Sequence, residues 1–194
     1  QADRPLRTWR TSAGLWLVTR MLGVSVPWSV VRQTSATELL AFEARRLDEL
    51  AAAGEAVPKG VAFDGHTLVT QDVGPALNRV LDGLPPSECL SLMCSLSADL
   101  ARFHARGQWH GGAQVRNVTL RHGVFHRIDF EELMHPALPL STVQVYDALQ
   151  MTVSMLHWLA PHGDGAVLQV LDTYADTSPR QGEALAAALS RVLP

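Results

Sequence analysis

Between positions 100 and 132 the chain reads LARFHARGQWHGGAQVRNVTLRHGVFHRIDFEE, and within it Asn117 and Asp129 carry the oxygen atoms that a hard cation takes. Asn117 leads into one short apolar run (118–120) and Asp129 leaves a second (124–128), with His122-Gly123 as a turn between them. Antiparallel pairing of the two runs would bring the amide and the carboxylate to one place. One amide oxygen with one or two carboxylates suits magnesium, and the same ion bridges phosphate oxygens. Glu131, two residues on, offers the further carboxylate. The plainer reading is a turn asparagine and a strand-end aspartate bonded to nearby backbone, followed by a solvated acidic pair, Glu131-Glu132.

The elements that must position these residues follow from periodicity. Positions 12–22 place Leu15, Trp16, Val18, Met21 and Leu22 on a helical stripe that Pro27 stops, and 28–32 reads as extended. A stronger helix follows, capped by Thr34 or Ser35 with Glu38 in capping-box spacing, periodic through Leu39, Phe42, Leu47 and Leu50, and closed by Gly54. A hairpin is expected from 60–63 and 68–73 around Asp64-Gly65. Gly74-Pro75 then breaks the chain, a short helix covers 77–81, and Ser87 caps a long amphipathic helix that ends near Gly107. From about Ser141 the chain reads as helical, interrupted near 161–164. The expected class is α+β, with a boundary near Gly74 between a smaller first part, 1–74, and a larger helical part, 75–194.

The central stretch resembles the catalytic and metal loops of the protein-kinase-like superfamily, nearest to its bacterial small-molecule and lipopolysaccharide kinase branches. There the loop reads H-G-D-x-x-x-x-N and the metal motif I-D-F-E; here the matching residues are His110, Gly111 and Asn117, then Ile128, Asp129, Phe130 and Glu131. The preceding Leu-x-x-Phe-His-x-x-Gly run matches from Leu100 to Gly107, and the whole likeness covers roughly Glu38 to Trp158. The resemblance implies a kinase-like fold with a reduced N-terminal lobe and a mostly helical C-terminal lobe. It implies ATP and Mg²⁺ as cofactors, with Asn117, Asp129 and Glu131 on the metal. It puts Asp147 where the family braces its catalytic loop, and Glu43 where the family pairs a glutamate with an ATP-holding lysine. Asp72 and Val73 fall at the hinge, whose backbone would hold an adenine edge, and His110 packs against the metal loop. Three departures stand out. Gly112 occupies the position of the aspartate that orients the acceptor hydroxyl, no glycine-rich phosphate loop precedes Glu43, and no lysine does. Gln114 is the nearest side chain able to orient a hydroxyl, though not as a base.

Composition narrows the rest. An apolar fraction of 47% over 194 residues supports a real core, and a net charge of −3 gives no general attraction for nucleic acid. Lys59 is the only lysine. Cys89 and Cys94, five positions apart on one helix, face different ways and read as reduced thiols in a cytoplasmic protein. The first residues show no signal-peptide pattern, and the apolar run 15–28 is too short to span a bilayer and contains Arg20. With Trp16 and Trp28 it suits a peripheral contact with the inner membrane, or packing within its own domain. The dispersed histidines, among them His104, His122, His126, His135, His157 and His162, lack a zinc-ligand spacing. Arg45, Arg46, Asp48 and Glu49 read as a solvated helix face, and Arg116 and Arg121 as exposed arginines or anion ligands. Two functions follow. One is a nucleotide- and Mg²⁺-binding phosphotransferase to a small-molecule, sugar or lipid-linked acceptor; the other is a pseudokinase that binds a protein partner or ligand without catalysis.

Overall fold

The computed structural model describes residues 36–130 and 138–191. The readings placed on 12–22, 28–32, the Thr34/Ser35 cap, His135, Glu131 and Glu132 lie outside those residues. The class is α+β: six helices and two separate antiparallel two-stranded sheets among the described residues.

Helix α1 (Ala36–Ala52) buries Arg46, Leu47 and Leu50 and gives way at Gly54, whose φ of +79° is the left-handed geometry that ends helices. Strands β1 (Gly60–Phe63) and β2 (Leu68–Thr70) form the expected hairpin. Its turn is closed by Asp64, whose carboxylate accepts the N–H groups of His66 and Thr67 at 2.9 and 2.7 Å. The second strand was expected to reach Val73 but stops at Thr70. The reason is a change of partner. Past Gln71 the backbone turns to the next sheet: Leu120 donates to the Pro75 carbonyl, Thr119 Oγ1 to that of Val73, and Ala76 bridges Thr119. Gly74 sits at this crossing with φ +100°, and a Cβ there would lie 3.0 Å from the Leu120 carbonyl oxygen. Any other residue would suffer both strain and contact.

After α2 (Leu77–Asp82) comes α3 (Pro86–Ala105), buried at Cys89, Met93, Leu96, Leu100, Phe103 and His104, a helical spacing throughout. Ser87 does not cap it. Pro86 takes the first position, where a missing N–H is harmless, so Ser87 lies inside the first turn. A single 3-10 turn, Val115–Asn117, delivers the chain to β3 (Val118–Arg121) and β4 (Val124–Arg127), joined through His122 and Gly123 at φ 51° and 77°. Two successive left-handed residues make the turn whose twist matches paired strands.

Helices α4 (Leu140–Leu159), α5 (Gly165–Thr177) and α6 (Pro179–Leu189) complete the described chain, with a 3-10 turn at Ala160–His162. The break at Ser178 was not expected. Pro179 cannot continue the α5 hydrogen-bond ladder, and it opens α6 instead. The core lies where α3 packs on α4, α5 and α6. Cys89 is buried and Cys94 half-buried, both as free thiols. Among the described residues no helix is long and apolar enough to cross a membrane.

Two contacts tie the segment after α1 to this core. Arg106 bonds the buried Glu55 carboxylate through two nitrogens at 2.6 Å each. Arg127 donates its backbone N–H to Ala56, and its guanidinium lies against Asp99 with its carbon 4.1 Å from the centre of the Phe103 ring.

Candidate active site

A buried carboxylate anchors the loop between α3 and β3. Asp147, fully buried on α4, accepts the backbone N–H of His110 at 2.6 Å and that of Gly111 at 2.8 Å. Both N–H groups reach one carboxylate because Gly111 turns left-handed, φ 87°. Gln144, one helical turn earlier, donates its amide to the carbonyls of His104 and Gln108. The loop is therefore pinned to a helix rather than draped over it.

His110 is buried and its hydrogen bonds fix its tautomer. Nδ1 receives the Gly112 N–H at 3.2 Å, so the ring proton is on Nε2, which donates to the Ile128 carbonyl at 3.1 Å. The ring stacks on Phe130 with centroids 4.4 Å apart and planes 18° from parallel. With both nitrogens engaged by backbone, His110 acts here as a brace between the loop and the segment after β4.

Asn117 ends the 3-10 turn because its N–H returns to the Gln114 carbonyl at 2.9 Å. Its side-chain Nδ2 donates to the Gly112 carbonyl at 2.9 Å, which leaves the amide oxygen as its remaining ligand atom. Its own carbonyl accepts the Ile128 N–H at 2.9 Å, which sets Asp129 beside it. Asp129 is half-buried and has φ 67°, a left-handed backbone that only a minority of non-glycine residues adopt. The next N–H, from Phe130, is donated to Glu43 Oε1 at 3.3 Å. Asp129 is thus held between a bond to the loop and a bond to α1. Gln114 is half-buried at the start of the 3-10 turn, with an extended backbone.

Helix α1 is clamped to the same loop. Arg46 was expected on a solvated face, but only 9% of it is exposed. Its guanidinium donates to the Trp109 carbonyl at 3.0 Å and to Gln108 Oε1 at 3.2 Å, and its carbon lies 4.8 Å from the centre of the Trp109 ring. Phe42 stacks on the same indole. The apolar stem and aromatic contact make burial of this charge tolerable, which a count of charges along the helix does not reveal.

Asp72 and Val73 lie against β3. The Asp72 carboxylate accepts the Gly74 N–H, its carbonyl accepts Arg121 Nη1 at 2.6 Å, and the Val73 carbonyl accepts Thr119 Oγ1 at 2.9 Å. Arg121 is thereby engaged by backbone, while Arg116 is exposed. Glu131 lies outside the described residues. Among the described residues no three His, Cys, Asp or Glu side chains gather at one point. Asn117 and Asp129 carry oxygen atoms only, the donor type that magnesium takes.

Sequence reasoning missed one member of this scaffold, Tyr174 on α5. Its hydroxyl lies 2.6 Å from His104 Nδ1, and His104 Nε2 faces Asp147 across 3.4 Å, too poorly aligned for a hydrogen bond. Burial, together with the Asp147 charge, pushes the Tyr174 phenol up. Burial holds His104 and His110 below the ordinary 6.5, against the opposing pull of Asp147.

A pH dependence follows with a definite sign. Below 6.5 the unfolded chain protonates both imidazoles while the folded chain does not. Stability is full above that value and is lost as pH falls toward the depressed folded values. Each histidine contributes at most about 1.4 kcal/mol per pH unit, so urea unfolding should show a loss of about 1–3 kcal/mol between roughly pH 7.5 and 5.5. Equal midpoints would mean that neither ring is held neutral.

No family model and no curated protein matches the chain.

Proposed function

We propose that this chain binds a nucleotide with Mg²⁺ in a kinase-like cleft and transfers a phosphoryl group to a small-molecule, sugar or lipid-linked acceptor. One observation carries the reading. Asp129 stands in a left-handed conformation between Asn117, reached through the Ile128 N–H, and Glu43, reached through the Phe130 N–H. Strain of this kind costs on the order of 1–3 kcal/mol and gathers where side chains must be aimed. Asn117 and Asp129 supply the metal's oxygen ligands, with Glu131 following in sequence. The bound ion would neutralise phosphate charge and hold the transferring group in line. Gln114 orients the acceptor, and the backbone at Asp72-Val73 borders the base. Residues 1–74 then form the reduced lobe and 75–194 the helical one, in a cytoplasmic protein that touches the inner membrane through its N-terminal segment.

A non-catalytic, partner-binding reading has its own support in Gly112, which has no side chain to orient an acceptor. Thermal unfolding with ATP, ADP and GTP, with and without Mg²⁺, separates the two. A ligand present at 100 times its dissociation constant adds about 2.7 kcal/mol. The expected result is a Mg²⁺-dependent rise that Asp129→Asn removes while leaving the unliganded midpoint unchanged, since asparagine tolerates the left-handed backbone. No rise with any nucleotide would overturn the proposal and leave the partner-binding one.

A further inference from the structure

Where α3 ends, α4 begins and α5 hands over to α6, the molecule has a partly open cavity of about 320 Å³. It lies at the lower end of the range for small-molecule sites, about 300–1,000 Å³. Its lining includes neither Asn117 nor Asp129, so it is a second place, independent of the nucleotide reading.

The wall has a distinctive charge pattern. Among the described residues it contains no aspartate or glutamate, and the one full charge among them is Arg180, in the first turn of α6. Arg180 forms no ion pair among the described residues. His104, also in the wall, is kept neutral by burial. Tyr174 directs its hydroxyl to His104 Nδ1, and Gln144 spends its amide on two carbonyls, so these polar groups shape the wall without adding charge. Ser141 brings a hydroxyl from the first turn of α4, and Leu140, Val145 and Ala184 supply an apolar side.

We infer that this cavity binds a small organic anion, its acid group on the Arg180 guanidinium and the Ser141 hydroxyl, its carbon body against Leu140, Val145 and Ala184. An arginine fork matches a carboxylate or a phosphate with two parallel hydrogen bonds. The described wall offers no carboxylate to an inorganic cation, and a wholly apolar ligand would make no use of the guanidinium. Occupancy bears on the catalytic loop as well. His104 and Gln144 belong both to this wall and to the scaffold that carries Gln108 and, through Asp147, His110 and Gly111.

The test is a backbone amide NMR titration of the full chain with benzoate, citrate and glycerol 3-phosphate, against sodium chloride at matched ionic strength. Benzoate and citrate present carboxylates and glycerol 3-phosphate a phosphate, so the series also identifies the head group. The expected result is saturable shifts at Ser141, Gln144, Tyr174 and Gln181 with at least one of the three at millimolar concentration, and none with chloride. Arg180→Gln, at an exposed position that leaves the fold intact, should weaken that binding about tenfold or more, as loss of a charged hydrogen-bonding partner does. Ala184→Phe should abolish it by filling the space. Absence of saturable shifts with all three anions overturns the inference, as does binding that Arg180→Gln leaves unchanged.

Discussion

On the proposed phosphotransferase reading, Gly112→Asp is expected to raise ATP turnover by about 10²–10⁴-fold, the usual worth of one positioned acid–base group. The variant places a carboxylate two residues after His110, where the kinase-like families carry the aspartate that orients the acceptor hydroxyl. The backbone is ready for it. Gly112 donates its N–H to His110 Nδ1 and its carbonyl accepts Asn117 Nδ2, so the position is fixed on both sides. Its φ is not left-handed, unlike that of Gly111, so an L-residue can take its place without backbone strain. Release of ADP with water as acceptor measures the gain without knowledge of the natural acceptor. Gly112→Asn controls for bulk, since its amide cannot take a proton at neutral pH. Equal rates in the wild type and both folded variants would mean that position 112 does not face the transferring group.

Asp147→Ala should cost about 3–5 kcal/mol, the range for removing one member of a buried charged network. Two buried donors lose their acceptor together, the N–H groups of His110 and Gly111. For a domain of this size the unfolding midpoint would fall by on the order of 10 °C. Asp147→Asn is the sharper probe. It preserves volume, but turns one of the two accepting oxygens into a donor aimed at a backbone N–H. Urea unfolding should rank wild type well above Asn, with Ala similarly low. A loss below about 1 kcal/mol in both would mean that the loop is held by Gln144 and the Phe130 stack instead.

Periodicity was enough to find α3, because its buried positions from Cys89 to His104 recur at helical spacing. Gly54, Gly107 and His122-Gly123 marked turns by chemistry alone, and each has a left-handed φ. The pairing of β3 and β4, and with it the nearness of Asn117 and Asp129, was legible for the same reason. What stayed hidden were contacts between residues far apart in the chain. Arg46 looks solvated until Trp109, 63 positions later, comes to cover it. Tyr174 gains its meaning only from His104, 70 positions earlier. The end of β2 was missed because Val73 and Pro75 pair with a strand that forms about 45 residues downstream, and local pattern carries no record of that competition.

The clamp on Trp109 also limits how the molecule can move. Glu43 is only one residue from Phe42 and three from Arg46, so α1 cannot withdraw the carboxylate from Phe130 while those two stay on the indole. Swinging the helix out would unstack Phe42, lift the guanidinium off the ring and break its bonds to Gln108 and the Trp109 carbonyl. Taken together these are worth roughly 3 kcal/mol, which leaves the swung-out arrangement at about 1% of the population or less. The helix that steers Asp129 is therefore held in the engaged position at rest, and anything that switches this site has to displace Trp109 first.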